Sequence, residues 1–320
     1  MQCLVTGGSG FIGSAIANKL QISGHKVTSI IKKIDDNKIV KNQQFNFIEL
    51  ENIDKDTDWK KKLINIDCIV HCAAKTHYNH SSNDQQFRNY ESLNYHSTIN
   101  LAYQASKCGV KRFIYMSSIG VNGNFTKNEK KFSIFDSPNP SDNYATSKLI
   151  IEKKLQEISK NNELEIVIVR APLVYGPSSK GNIIKFIKLI DSGIPLPLGS
   201  INNSKSFLSI DNLVDFLCLC VTHPSAANEI FLVSDDDDIS LQDLILKITK
   251  YLDKNIFIFP FPIKFLYLSS KLINKSNTFE KLVNSLQIDI NYTKSKLNWK
   301  PKYNFDESLK KTIEWYLKNK

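Results

Sequence analysis

Tyr144 and Lys148 stand four residues apart in Tyr144-Ala145-Thr146-Ser147-Lys148. On a helix that spacing puts a phenol and an ammonium on one face. With a reference pKa of about 10, a phenol is a poor base at neutral pH, and a neighbouring ammonium favours its ionised form. About 26 residues earlier, an apolar run ends in Ser117-Ser118. A hydroxyl there can share the hydrogen bond to a reacting alcohol or carbonyl oxygen. The chemistry these groups can do is general acid–base transfer of one proton. The Tyr-x-x-x-Lys spacing is common by chance and gains weight only from its surroundings.

A glycine loop provides them. Thr6-Gly7-Gly8-Ser9-Gly10-Phe11-Ile12-Gly13 follows a short apolar run, Gln2 to Thr6, and opens an amphipathic stretch, Ser14 to Ser23. Gly7 permits a tight turn, Gly10 lets backbone approach a pyrophosphate, and Gly13 lets the helix pack closely. The first turn, with Phe11 and Ile12, offers N–H groups and positive dipole to the anion. This strand–turn–helix context predicts a nicotinamide dinucleotide, NADP(H) or NAD(H). A nicotinamide cation beside Tyr144 would favour the phenolate further. A NAD site wants an acid at the end of the second strand, and an NADP site a cation. Here the run ends Ile30-Ile31-Lys32-Lys33, with Asp35 and Asp36 slightly later. Contact of Lys32 or Lys33 with a 2′-phosphate is the favoured expectation, and two surface lysines the alternative.

The elements that must position these groups alternate. Apolar runs at Val27 to Ile31, Asn46 to Leu50, Cys68 to Cys72, Arg112 to Ser117 and Ile166 to Arg170 read as strands. Between them, Trp59 to Ile64, Tyr90 to Cys108 and Tyr144 to Asn161 read as helices, the last with Asn143 or Asp142 as N-cap. Wholly apolar strands separated by helices predict an α/β fold with a Rossmann-type, doubly wound parallel sheet. After Tyr175 the pattern changes. Ile183 to Ile190 and Leu213 to Thr222 read as helices, and Phe207 to Ile210 and Ile230 to Val233 as strands, the latter rejoining the sheet. The expected division is a dinucleotide-binding domain of 1–175 and 207–235, and a smaller, mostly helical substrate lobe of 176–206 and 236–320.

Taken together, Gly7-x-x-Gly10-x-x-Gly13, Cys72-Ala73-Ala74, Asn94, Ser117-Ser118, Tyr144-x-x-x-Lys148 and Arg170-x-Pro172-x-Val174-Tyr175-Gly176-Pro177 resemble the extended short-chain dehydrogenase/reductases. These include the NAD-dependent epimerase/dehydratase enzymes of nucleotide sugars. The resemblance spans essentially the whole chain. Ser118 to Gly123, Lys180-Gly181-Asn182, Pro195 to Gly199 and Asp211 to Asp215 look most like a bacterial surface-polysaccharide (O-antigen) branch. That branch is related to UDP-glucose 4-epimerases and includes reductases of UDP-4-keto-6-deoxy-N-acetylhexosamines that make UDP-N-acetylquinovosamine.

The resemblance implies roles. Ser118 is the catalytic serine, Tyr144 the acid/base, and Lys148 its electrostatic partner and nicotinamide-ribose ligand. Cys72, Ala73, Ala74, Asn94, Asn52 and Ile53 line the cofactor, and Pro172 and Val174 the nicotinamide. Asn182 and Lys205 match positions that contact the nucleotide sugar. The implied substrate is a UDP-sugar, and the implied assembly a homodimer paired through the two long helices. Three departures stand out: Ile31 replaces the acid usual in NAD-retaining epimerases, Asn52 an aspartate near the adenine, and Asn122 a tyrosine before Gly123. The first favours a cofactor exchanged at each turnover. A C4 ketoreductase is therefore the leading expectation and a 4-epimerase with retained NAD the close alternative. A 4,6-dehydratase fits less well, because Gly120, Val121 and Asn122 supply no Asp-Glu pair. A non-catalytic NADP-binding regulator is the distant alternative.

Composition excludes other classes. The 320 residues carry 42 Lys and Arg against 32 Asp and Glu, a net charge of +10. The lysines are scattered, without the interleaved aromatics of a nucleic-acid binder, so none is expected as partner. No uncharged apolar run is long enough to span a membrane, and the N-terminus lacks a signal-peptide pattern, which sets a cytoplasmic expectation. The six cysteines form no Cys-x-x-Cys pair and read as reduced core residues. His71, His77, His80 and His96 lack paired ligand spacing, so no metal is expected. The run Asp235 to Asp238 reads as a turn of solvated acids.

Overall fold

The computed structural model describes residues 1–32, 46–74, 84–127, 130–272 and 275–320; Lys33, Asp35, Asp36, His77 and His80 lie outside the described residues. Seven strands form the main sheet: β1 (Gln2–Thr6), β2 (Lys26–Ile31), β3 (Asn46–Glu49), β4 (Cys68–His71), β5 (Arg112–Ser118), β6 (Glu165–Ala171) and, after the short β7 (Val174–Tyr175) and β8 (Leu208–Ser209), β9 (Ile230–Leu232). Their order is β3-β2-β1-β4-β5-β6-β9, with every pairing parallel. β7 and β8 pair with each other outside the sheet. The helices are α1 (Phe11–Ile22), α2 (Asp84–Lys107), α3 (Asn143–Lys160), α4 (Asn182–Asp191), α5 (Ile210–Thr222), α6 (Leu241–Leu252), α7 (Ile263–Leu272), α8 (Ser276–Val283), α9 (Asn291–Leu297) and α10 (Phe305–Lys318).

Alternation along each strand builds two cores. Cys3, Val5, Val70 and Ile114 face α1 and α5, where they meet Ile16, Leu20, Phe216 and Leu217. Leu4, Ile69, Phe113 and Ile168 face α2 and α3, where they meet Leu101, Ile151 and Leu155. With both faces covered, apolar residues are needed at consecutive strand positions, which is the doubly wound pattern expected. The chain reverses direction across the sheet between β1 and β4. A crevice therefore opens at their carboxyl ends, Thr6 and His71, as in other open α/β sheets.

A third core joins Ile183, Ile187 and Ile190 of α4 to Ile245 and Ile248 of α6 and to Phe305, Leu309 and Ile313 of α10. The segment 288–299 packs elsewhere. Ile288, Ile290, Leu297 and Trp299 join the sheet-side core, where Trp299 stands edge-on to Phe216 at 5.0 Å and donates to Asp215.

Three expectations need correction. The run 207–210 forms only the two-residue β8, because Ser209 caps α5 by accepting from Asn212 N–H and Ile210 already starts the helix. Trp59 to Ile64 yields a single 3-10 turn, Lys60–Leu63. The acids 235–238 are not a solvated turn. Asp235 is buried and accepts from Ser209 N–H, Asn212 Nδ2 and Tyr175 Oη, while burial pushes its carboxyl up to about 6. Asp238 accepts from Ser206, Lys131 and Gln287, and Asp236 pairs with Lys294. The run stitches the lobe to the sheet because backbone and hydroxyl donors converge on it.

Candidate active site

The glycine loop closes on itself. Gly7 lies at φ +71°, and a side chain there would press on the Ala73 backbone at 2.9 Å. Gly10 N–H donates to Gly7 O at 2.8 Å. A Cβ on Gly13 would sit 2.0 Å from Gly7 O, so this glycine is demanded by the loop's own backbone. Gly8, not assigned a role from sequence, is equally constrained, since its Cβ would meet Ser29 Cβ at 2.8 Å. Thr6 Oγ1 accepts from Ala73 N–H and bonds His71 Nδ1 at 2.8 Å; His71 Nε2 reaches Thr98 Oγ1 at 3.0 Å. Burial, then the nearby Lys148 charge, pushes His71 down to about 3, so it is a neutral bridge beneath the loop.

Above the loop a cleft of about 280 Å³ is lined by Gly7, Gly10, Lys32, Asn52, Ile53, Cys72, Ala73, Ala74 and Asn94. Nine residues assigned to the cofactor from sequence thus meet in one place. Ser9, Ile30, Ile31, Leu50, Glu51, Leu93 and Ser97 complete the lining. Their signal was position alone: each flanks the carboxyl end of a strand or the facing turn of α2. The N-terminus of α1 has no side-chain cap and no acid in its first turn, leaving its dipole to an anion. Ile31 is buried and Lys32 exposed at the cleft wall. Phe11 and Ile12 occupy the first turn of α1, with Phe11 beside the Gly176 backbone. Pro172 follows β6 directly, and Val174 lies on β7.

At the end of β5, Ser118 Oγ accepts from Gly120 N–H at 3.1 Å, which fixes the oxygen and leaves its own proton to donate. Gly120 is wedged between Ser118 Oγ and Ala145 Cβ, 3.4 and 3.2 Å from where its Cβ would be. This wedge brings the serine to the first turn of α3. Asp142, one of the two expected N-caps, accepts from Ala145 N–H at 2.8 Å. It also pairs with Lys281 of α8, tying the lobe to the start of the helix. Lys148 is buried; its Nζ donates to Met116 O at 2.8 Å and lies 5.7 Å from the centre of the Tyr144 ring. Burial lowers this ammonium to about 8, with the Glu152 charge opposing the shift. A cation in that position stabilises a phenolate at Tyr144.

Sequence reasoning missed the support under these groups. Glu152 and Arg170 are both buried and share a bidentate pair, with Nη2–Oε2 at 2.6 Å. Ser117 Oγ donates to the same carboxylate. Arg170 Nη1 donates to Asn122 Oδ1 at 3.0 Å, so the asparagine that departs from the family pattern is a structural acceptor here. Asn182 is exposed at the start of α4. Lys205 bridges Ile239 and Leu286 by its backbone, and its Nζ donates to Lys281 O; burial lowers it to about 8. Neither lines the cleft. Among the described residues, no group of three His, Cys, Asp or Glu could hold a metal ion. No described helix is long and apolar enough to cross a membrane.

Residues 3–234 match the model of the NAD dependent epimerase/dehydratase family. The chain is 39% identical over 315 residues to a UDP-glucose 4-epimerase of Vibrio cholerae, covering 98% of this chain and 95% of that one. It is 26% identical over 258 residues to the N-acetyl-alpha-D-glucosaminyl-diphospho-ditrans,octacis-undecaprenol 4-epimerase of Escherichia coli O157:H7, covering 79% and 73%. In fold it is similar to the UDP-glucuronic acid 4-epimerase from Bacillus cereus in complex with NAD, with a TM-score of 0.79, 22% identity and coverage of 100% and 99%.

Proposed function

This chain belongs to the NAD dependent epimerase/dehydratase family, and we propose that within it the protein is a nucleotide-sugar 4-ketoreductase. It is a nucleotide-sugar enzyme that works with a nicotinamide dinucleotide. The finer reading is reduction of a UDP-4-keto-6-deoxy-N-acetylhexosamine at C4, for surface polysaccharide. The observation that carries it is the end of β2, where a buried Ile31 and an exposed Lys32 line the dinucleotide cleft. An ammonium there suits a 2′-phosphate, and with it a cofactor that exchanges at each turnover.

When bound, the nicotinamide supplies the two-electron exchange at the sugar carbon. The chain supplies the proton and the positioning. Tyr144 Oη donates a proton to the C4 oxygen as it gains charge, and Ser118 Oγ–H donates a hydrogen bond to the same oxygen. Lys148 holds the resulting phenolate electrostatically from its place over Met116 O. The lobe residues Asn182 and Lys205 would meet the UDP-sugar. Dimerisation through α2 and α3 is supported by Tyr103 and Ile150, exposed on those helices.

The second reading is a 4-epimerase, favoured by the name of the relative from Vibrio cholerae. The two are separated by the nucleotide that the purified protein carries. Heat release followed by chromatography is expected to show little bound NAD, and added NADPH should bind more tightly than NADH. Stoichiometric NAD, resistant to dialysis, would reverse the assignment.

A further inference from the structure

The substrate lobe carries an apolar surface that the catalytic site does not use. Residues 256–261 run as an extended strap against 196–199. Leu196 N–H donates to Phe257 O, Phe259 N–H to Leu196 O, and Gly199 N–H to Phe259 O at 3.0 Å. Gly199 is needed for this approach, because a Cβ would meet Phe259 C at 2.9 Å. Alternation along the strap sends Ile256 and Ile258 into the lobe core and leaves Phe257, Phe259 and Phe261 outward. Their rings form a ladder at 5.7 and 6.4 Å that continues to Phe265 of α7 at 6.3 Å.

α7 extends the same surface. Phe261, Phe265, Leu268 and Leu272 recur at helical spacing, within about 60° of the circumference. Phe257 is 68% exposed, Phe265 61%, Leu268 56% and Leu272 87%. The opposite face packs inward through Ile263 and the buried Ser270. A helix that buries its polar serine and exposes its largest apolar side chains is inverted for water. Charge settles what covers it. Between Asp253 and Glu280 the sequence holds four lysines and no further carboxylate, an excess of positive charge, and Lys264 and Lys271 are exposed beside the stripe. A second copy docked face to face here would set four lysines against four, with only Asp253 and Glu280 at the edges to pair them. An anionic lipid headgroup layer supplies both the opposite charge and an apolar depth for the rings.

We propose that the strap 257–261 and α7 form a monotopic docking surface for an anionic phospholipid bilayer, which would hold this nucleotide-sugar enzyme at a membrane face. The test is co-sedimentation of the full chain with vesicles of phosphatidylcholine alone, or of phosphatidylcholine and phosphatidylglycerol in equal parts. Wild type is expected to sediment with the anionic vesicles, to be released by high salt, and to stay with the supernatant over phosphatidylcholine. Phe265→Ser and Leu272→Ser should each weaken binding at least about tenfold, as expected for one large apolar side chain left in water. Lys264→Gln with Lys271→Gln should weaken binding to the anionic vesicles and remove most of its dependence on salt. These exposed positions should leave thermal melting and turnover of soluble substrate unchanged. Wild type remaining in the supernatant over anionic vesicles would overturn the proposal. So would a wild-type dimer that Phe265→Ser converts to monomer, which would assign the surface to a second copy.

Discussion

At the residue scale, the proposed reaction turns on one phenol and the ammonium beside it. Tyr144→Phe removes the proton that the proposed reduction moves and leaves the cleft lining unchanged. Turnover is expected to fall by about 10²–10⁴, with cofactor affinity by calorimetry nearly unchanged. Near-normal turnover in that variant would remove Tyr144 from the mechanism. Lys148 sets a pH limit. Its ammonium is lowered to about 8 by burial, so the cation that favours phenolate is lost as pH rises through that value. The rate in the free enzyme, followed as kcat/KM, is expected to descend above about pH 8. For stability the sign is opposite. The unfolded chain binds that proton up to a higher pH than the folded chain does, so burial of Lys148 costs most below pH 8 and is relieved above it. Lys32→Asp should move the NADPH-to-NADH ratio of kcat/KM by about tenfold or more, the worth of one charge-assisted phosphate contact. An unmoved ratio at fixed ionic strength would mark Lys32 as ordinary surface. These residues were legible in the sequence because spacing within one element suffices to place them: Gly7, Gly10 and Gly13 in one loop, Tyr144 and Lys148 on one turn. Glu152 was not. From its position alone it is one more acid on a lysine-rich helix. Only the pairing of Ser117 with Arg170 across β5 and β6 puts a hydroxyl and a guanidinium over it.

At the element scale, that buried group sets how β5, β6 and α3 sit together. Removing one partner of a buried pair leaves the other charge unpaired, at about 3–5 kcal/mol. Glu152→Gln is therefore expected to lower the chemical-denaturation stability by that amount. A loss below about 1 kcal/mol would mean that Arg170 finds another partner. Gly13→Ala tests the contact of α1 with its loop. The added methyl has backbone in its way on Gly7, so the loop must shift, and dinucleotide binding should be lost even where the far-ultraviolet spectrum is kept. Periodicity found the seven strands of the main sheet and the helices α1 to α5, since each must bury apolar residues at its own period, but not the two-residue β7. It overextended β8, where the capping bond of Ser209 outweighs the β-branched Ile210. It also misread the acids at 235–238, because their partners Asn212, Tyr175, Lys131 and Ser206 are distant in sequence and no local pattern announces them.

At the scale of the whole molecule, the sheet provides the cofactor crevice, and the C-terminal helices are tied to it through Asp142–Lys281 and the Asp235 hub. The lobe is the part least visible in advance. Its helices are short, and the segment 288–299 returns to the sheet, a long-range choice that composition does not encode. At C4 the proposed chemistry is reduction rather than epimerisation. It is tested most directly by following NADPH absorbance when the purified protein meets UDP-4-keto-6-deoxy-N-acetylglucosamine, with UDP-glucose and UDP-galactose as parallel substrates. One NADPH is expected to be consumed per 6-deoxy sugar reduced, with no interconversion of the two hexoses without added nucleotide. Interconversion of UDP-glucose and UDP-galactose by the protein as purified, with no NADPH consumed on the keto sugar, would contradict it.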